Sequence, residues 1–313
     1  MLGYTIRLPV WCYRREQENA LLERNHMLMD DITAEFTREE LIPMPAEPLR
    51  IVPQVKFAVR SEIGLVRENN EDKFDFYEPD EPELLAVRGS AYVVCDGMGG
   101  HNAGQIASEL AARQFLYTYY HTVGTALECA HQAVLQAHHY VADMARKVPS
   151  RKDMGTTLTA LILRQDTGML VHVGDSRCYR LRSDEFQQLS HDHTLVAQWV
   201  AEGILTPEMA RLHPYKNVIR QAVGVVGENE TLEPDIETFP LETGDLYLLC
   251  SDGLTDMLTD EVIERILKTE PLTRAAWKLL DRALAEGGQD NITVALIKIL
   301  GLAEPTSGYN PSG

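Results

Sequence analysis

The sequence predicts an α+β fold, a four-layer α-β-β-α sandwich built on two antiparallel sheets. Strand-like segments come in runs while helix-like segments come in pairs, which argues against alternating βαβ units. The pattern continues without a break from Val55 to about Leu302. Two sheets face to face, each covered outside by a helix pair, bury every apolar face this pattern supplies. At ~150 residues per domain the length alone suggests roughly two domains; the unbroken pattern instead favours one large domain, residues 56–302, behind an extension.

That extension, residues 1–55, carries a charged stretch around Arg14–Glu23 and a helix-capable run to Phe36. Prolines at 43, 45, 48 and 53 then forbid a regular helix or a central strand. In the domain, the strand candidates are KFAVRSEIG, AYVVC, TTLTALIL, MLVHVGD, RCYRLRS, LYLLC and ITVALIKIL, short and rich in branched residues. After the second of these, Ala111, Ala112, Phe115, Leu116 and Tyr119 form one apolar helical stripe. Ala130, Ala133, Val134, Ala137, Val141 and Met144 form another. A second helix pair is expected near 259–268 and 272–286. Residues 303–313 read as a flexible Gly/Pro/Ser-rich tail.

Composition narrows the function. Hydrophobic residues make up 44% of the chain, which excludes wholesale disorder. A formal charge of −18 repels phosphate backbones and anionic lipids, so neither nucleic acid nor a membrane surface is an expected partner; cations are. No apolar run reaches the ~18–20 residues of a bilayer span, and the N-terminus lacks the pattern of a secretion signal. The five dispersed cysteines have no CxxC spacing and read as free thiols in a cytoplasmic protein.

Acidic residues collect where the core strands end. AYVVC runs into Asp96-Gly97, LYLLC into Ser251-Asp252-Gly253, and Asp290 stands just before ITVALIKIL; Arg67, Glu71 and Asp72 lie in VRENNED. Each Asp-Gly pair taken alone is an ordinary turn. Several carboxylates converging at the ends of apolar strands need a cation, and hard oxygen ligands suit Mg²⁺ or Mn²⁺. The glycine after Asp96 lets a backbone carbonyl approach as a further ligand.

The segments GLVRENNED, VVCDGMGGHNAGQIAS, MGTTLTALIL, VHVGDSRCYRL, LLCSDGLTDML and GGQDNITV occur in that order. Together they resemble the metal-dependent serine/threonine protein phosphatases, the PPM or type-2C class, in their bacterial form, over residues ~57 to ~300. The resemblance implies a β-sandwich flanked by helix pairs, with a bimetal site at one end and a flap subdomain, here about residues 193–223. It implies that Asp96 bridges two ions, with the Gly97 carbonyl on one of them. Asp252 and Asp290 complete the other, and Glu71 holds the first directly or through water. Asp72 supports a water at the metals, and Arg67 binds the substrate phosphate, a task its planar guanidinium suits. A third ion is implied on Asp153, shared with Asp252.

The implied activity is hydrolysis of phosphoserine and phosphothreonine in proteins by a metal-activated water, opposing a bacterial Ser/Thr kinase, in a cytoplasmic monomer. Alternative readings are a catalytically silent phosphatase fold that only binds, and a phosphatase of a small phosphorylated metabolite. Met98 stands where eukaryotic relatives have a histidine, and His101 reads as a surface loop residue. His191, Asp192 and His193 read as structural, as does Asp175. Cys95 and Cys250, at the ends of apolar strands, read as inert packing. Arg211, His213, Lys216 and Arg220 make the flap locally basic, either as a solvated face or as a contact for phosphorylated chains.

Overall fold

Both sheets alternate their side chains between a helix-facing and a sheet-facing side, as the period of two requires. In a computed structural model, residues 48–99, 102–225 and 232–305 are described. Most of the extension, His101 and the end of the tail lie outside the described residues, and so do the expectations placed on them.

The chain order is β1 (Val52–Glu62), β2 (Asp72–Tyr77), α1 (Pro82–Arg88), β3 (Ser90–Met98), α2 (Ala103–His121), α3 (Ala126–Lys147), β4 (Gly155–Thr156), β5 (Leu158–Arg164), β6 (Thr167–Val173), β7 (Arg177–Arg182) and β8 (Glu185–Gln188). It continues with α4 (Leu195–Ala201), α5 (Pro207–Arg211), β9 (Asp235–Pro240), β10 (Leu246–Cys250), α6 (Asp252–Thr255), α7 (Asp260–Thr269), α8 (Leu272–Ala285) and β11 (Ile292–Ala303). One sheet has the order β1-β11-β10-β7-β8 and the other β2-β3-β5-β6-β9, with β4 beside β3; every pairing is antiparallel.

Ala91, Val93 and Cys95 of β3 pack outward with Phe115, Tyr119, Ala133 and Ala137 of α2 and α3. Tyr92 and Val94 turn the other way, toward Leu249, Ala295 and Ile297 of the opposite sheet. Ile292, Val294 and Leu296 of β11 meet Ile263, Leu279 and Ala283 of α7 and α8. These three apolar layers make the predicted α-β-β-α sandwich. Strands buried on both faces read as continuous apolar runs, which is why AYVVC, LYLLC and ITVALIKIL were legible.

The first strand starts at Val52, ahead of the expected boundary at 56. Pro53 pairs with Leu302 at the sheet's edge, and the register shifts between Gln54 and Val55. An edge strand tolerates a residue with no N–H. Strands β2, β8 and β9 and helix α1 have no counterpart among the expected elements. The three strands are partly exposed edges, and the helix has only seven residues. Among the described residues no helix is long and apolar enough to cross a membrane.

Helix α2 is pinned at both ends. Arg88, fully buried, donates from Nε to the carbonyl of Tyr119 (3.2 Å) and from Nη2 to that of Thr122 (2.7 Å), capping the negative end of the helix. The Tyr119 hydroxyl donates back to the Arg88 carbonyl at 2.8 Å. At its start, α2 touches the site described below. Arg88→Ala removes both bonds and leaves the Tyr119 carbonyl without this donor, and is expected to cost roughly 3 kcal/mol. Urea unfolding monitored by circular dichroism measures this; an unchanged midpoint would show that the cap contributes nothing.

Candidate active site

Antiparallel pairing brings the start of β2 beside the end of β3, so that Asp72 lies opposite Asp96. In the other sheet Cys250, at the end of β10, pairs with Val294, near the start of β11. Asp252 and Asp290 lie just beyond those two strand ends. A cross-sheet hydrogen bond, Ser251 Oγ to Asp72 Oδ2 at 2.6 Å, joins the two edges. Asn291 adds a second link: its Oδ1 accepts from the Glu71 N–H (2.8 Å), and its Nδ2 donates to the carbonyls of Ile63 and Asn69 (2.9 Å each).

The backbone of Asp96 is clamped on both sides. Its N–H donates to Thr157 Oγ1 (2.8 Å), and its carbonyl accepts from Thr156 Oγ1 (2.8 Å) and the Thr157 N–H (2.9 Å). Gly97 then meets Gly104 of α2 so closely that a Cβ on Gly97 would lie 2.1 Å from the Gly104 carbonyl oxygen. A Cβ on Gly104 would lie 2.5 Å from Glu71 Oε2. The two glycines therefore let the start of α2 press against both β3 and Glu71. Across the site, Gly64 at φ +82° allows the loop bearing Arg67 to pass against the Asp290 carbonyl.

Six of the sequence-predicted site residues, Arg67, Glu71, Asp72, Asp96, Asp252 and Asp290, thus surround one end of the sandwich. Burial, followed by the charges of Asp72, Asp252, Asp175 and Asp290, holds the Asp96 carboxyl well above the usual range. Burial and then Asp175, Asp290, Asp256 and Asp72 do the same to Asp252. Asp72 is pushed up to about 6 by burial, against the hydrogen bonds it accepts. Glu71, half-buried, is raised by burial as well. Arg67 donates from Nη2 to Asp290 Oδ2 at 2.6 Å, so the expected phosphate ligand is paired here with an expected metal ligand. Asp153 stands apart, exposed, at φ +61° in the loop before β4.

Two observations bear on whether a cation fits. Asp72 Oδ1 and Asp252 Oδ1 are buried and have no hydrogen-bond partner. A buried carboxylate oxygen without a donor carries a large penalty, which a hard divalent cation relieves. Among the described residues, however, no three acidic, imidazole or thiol groups are already gathered closely enough to hold an ion. Asp290 instead accepts a hydrogen bond from Arg67. The donor set fits Mg²⁺ or Mn²⁺ in chemistry.

Several participants were not read from the sequence as part of the site. Asp175, which reads as structural in the sequence, is the leading charge acting on Asp252, and burial pushes its own carboxyl up to about 7. Ser251, Asn291 and Thr157 hold the acids in place; the signal available for them was only their position beside Asp252, Asp290 and MGTT. The structural readings of Asp192 and His193 agree with their contacts: Asp192 takes a forked bond from Arg177, and His193 Nε2 lies 3.2 Å from Asp235. Burial pushes the Cys250 thiol up to about 12 and the Cys95 thiol higher still, which leaves both inert at neutral pH.

Comparison with known proteins places this geometry. The chain matches the family described as Protein phosphatase 2C over residues 67–293. It is 36% identical over 247 residues to Serine/threonine phosphatase stp of Listeria innocua, covering 76% of this chain and 94% of that one. It is 37% identical over 252 residues to Serine/threonine protein phosphatase PstP of Mycobacterium tuberculosis, a match covering 80% of this chain but only 46% of that relative. The chain thus spans about half the length of the mycobacterial protein. A solved structure of the catalytic domain of PstP in complex with two manganese ions superposes with a TM-score of 0.67 at 36% identity, covering 79% of this chain and 99% of that one. The chain belongs to the protein phosphatase 2C family.

The raised carboxyl of Asp72 has a consequence for the metal-free protein. An acid whose folded pKa (about 6) exceeds its unfolded value (~3.9) favours folding most when protonated. Its contribution is therefore lost as pH rises from about 4 through about 6. Asp72→Asn removes this loss and is expected to stabilise the EDTA-treated protein at pH 7 by roughly 2–3 kcal/mol. Urea midpoints of both proteins between pH 4 and 7.5 measure it. Parallel curves would place the pH dependence elsewhere.

Proposed function

We propose that this chain hydrolyses phosphoserine and phosphothreonine in proteins, using Mn²⁺ or Mg²⁺, and opposes a Ser/Thr kinase as a cytoplasmic monomer. The observation that carries the reading is the pair of unpartnered buried oxygens on Asp72 and Asp252, set among Asp96, Asp290 and Glu71 beside an exposed arginine. The two relatives are named as serine/threonine phosphatases, and the PstP catalytic-domain structure holds manganese. By the resemblance, Asp96, the Gly97 carbonyl, Glu71, Asp252 and Asp290 would hold the ions. A third ion on Asp153 with Asp252 rests on the resemblance.

Bound ions supply Lewis-acid charge and lower the pKa of a water. The chain's own residues do the rest. Arg67, with 51% of its side chain exposed, can turn from Asp290 and take two phosphate oxygens in a forked, charge-assisted pair. That exchange frees Asp290 as the phosphate arrives. Asp72 Oδ2 is fixed by Ser251, which leaves Oδ1 to accept a proton from a water at the site. With its thiols held protonated, neither Cys95 nor Cys250 is placed to form a phospho-enzyme. A silent binding module has no need of an intact acid cluster beside Arg67, so that reading is not favoured.

Hydrolysis of a phosphothreonine peptide by EDTA-treated protein tests the proposal. Activity is expected to be absent and to return with Mn²⁺, and Asp96→Asn should weaken both Mn²⁺ binding by calorimetry and turnover. Full activity in excess EDTA would overturn the metal assignment.

Arg67→Ala should leave Mn²⁺ binding intact while lowering kcat/KM by about 1.5–3 kcal/mol, or roughly 10- to 150-fold. Wild-type kinetics in that variant would show that phosphate docks elsewhere.

A further inference from the structure

The loop between β1 and β2 is held at both feet by one side chain. Asn291 Nδ2 donates to the carbonyls of Ile63 and Asn69, 2.9 Å each. Between those feet the Leu65 N–H donates to the Gly288 carbonyl at 2.7 Å, and Arg67 reaches Asp290. Gly64, at φ +82°, makes the turn into the loop. Clasped in this way, the loop is a preformed surface that loses little freedom when something docks on it. It nevertheless holds two apolar side chains out in water: Leu65 is 68% exposed and Val66 67%.

Leu65 leans over Gly288 toward the partly buried Leu284. A Cβ on Gly288 would lie 3.1 Å from Leu65 Cγ and 3.0 Å from Leu284 Cδ2. One flank of Leu65 is thus supported from below, while its outer surface and that of Val66 stay bare. Val66 is covalently next to Arg67 and Leu65 is one residue further, so both Cα atoms lie within ~8 Å of that of Arg67. A polypeptide whose phosphate sits on Arg67 therefore brings the residues beside its phosphothreonine over this pair. The acid cluster and the exposed Glu62 and Glu68 disfavour a carboxylate in that position, whereas an apolar side chain gains contact there.

We propose that Leu65 and Val66 form an apolar platform that selects phosphorylated polypeptides with apolar side chains flanking the phosphorylated residue. The selection rests on the phosphatase reading above, which puts the phosphate on Arg67.

Two phosphothreonine peptides, one with leucine and one with serine on both sides of the phosphothreonine, test it with Mn²⁺ present. The readout is the ratio of their kcat/KM values, which cancels any effect of a substitution on folding or on Arg67 itself. Wild type is expected to favour the leucine peptide about tenfold, the worth of one or two partly sheltered apolar contacts. Leu65→Asn/Val66→Thr, which keeps the side-chain shapes and adds polar atoms, should bring the ratio to within about twofold of unity. Val66→Thr alone should lower it about threefold, which keeps the test standing if the double variant does not fold, and Val66→Ile should preserve it. Calorimetric binding of non-hydrolysable phosphonate forms of the two peptides should give the same order of ratios without turnover. No leucine preference in wild type, a preference that survives both polar variants, or its loss in Val66→Ile would overturn the platform. If wild type hydrolyses neither peptide, the phosphatase reading falls, and the phosphonate binding ratio still decides the platform.

Discussion

Repulsion among carboxylates confined at one end of an apolar sandwich is the constraint from which the rest of the structure follows. Burial, and then the charges of their acidic neighbours, hold the carboxyls of Asp72, Asp96, Asp175 and Asp252 above the usual range. Such a cluster persists only if the backbone beneath it cannot retreat. The threonine clamp on Asp96, the Asn291 brackets and the seating of α2 on Gly97 supply that rigidity. Stability is given up locally so that the site has an appetite for positive charge, and the sandwich around it absorbs the cost.

The two cation neighbours of the cluster differ: Arg67 is exposed and Arg177 half-buried. Arg67 reaches in from a loop and can leave Asp290 without unfolding anything. Arg177 is locked to Asp192 by a forked bond and lies behind Asp175, where it tempers the cluster permanently. A removable charge in front and a fixed one behind divide the work between receiving a ligand and tolerating its absence.

The layered core was legible because its strands are apolar on both faces and its helices carry single stripes. The edges were not. In DKFDFY, EFQQ and DIETFP, strand identity comes from the neighbour that pairs, not from the segment's own composition. At the site, the acids announced themselves through Asp-Gly and Asp-Asn pairs at strand ends, and seven of the eight expected residues, Gly97 among them, lie at that end of the sandwich. Asp153, just before MGTT, is exposed on its loop with a left-handed backbone. The residues that brace the acids were invisible for a different reason. Ser251 reaches Asp72 across 179 positions and Asn291 reaches Glu71 across 220, separations that no local pattern encodes.

Strand β1 lies along β11 from Val52–Ala303 to Glu62–Ile292, so the domain's first strand is zipped to its last. A chain emerging from the ribosome can assemble the β3-β5-β6 sheet with α2 and α3 early, from contacts close in sequence. Arg67, however, must wait for Asp290, 223 residues later. The acidic end is therefore the final piece of the domain to be born, and a nascent polypeptide carries its half-built sheets without the assembled acid cluster until synthesis has passed Asp290.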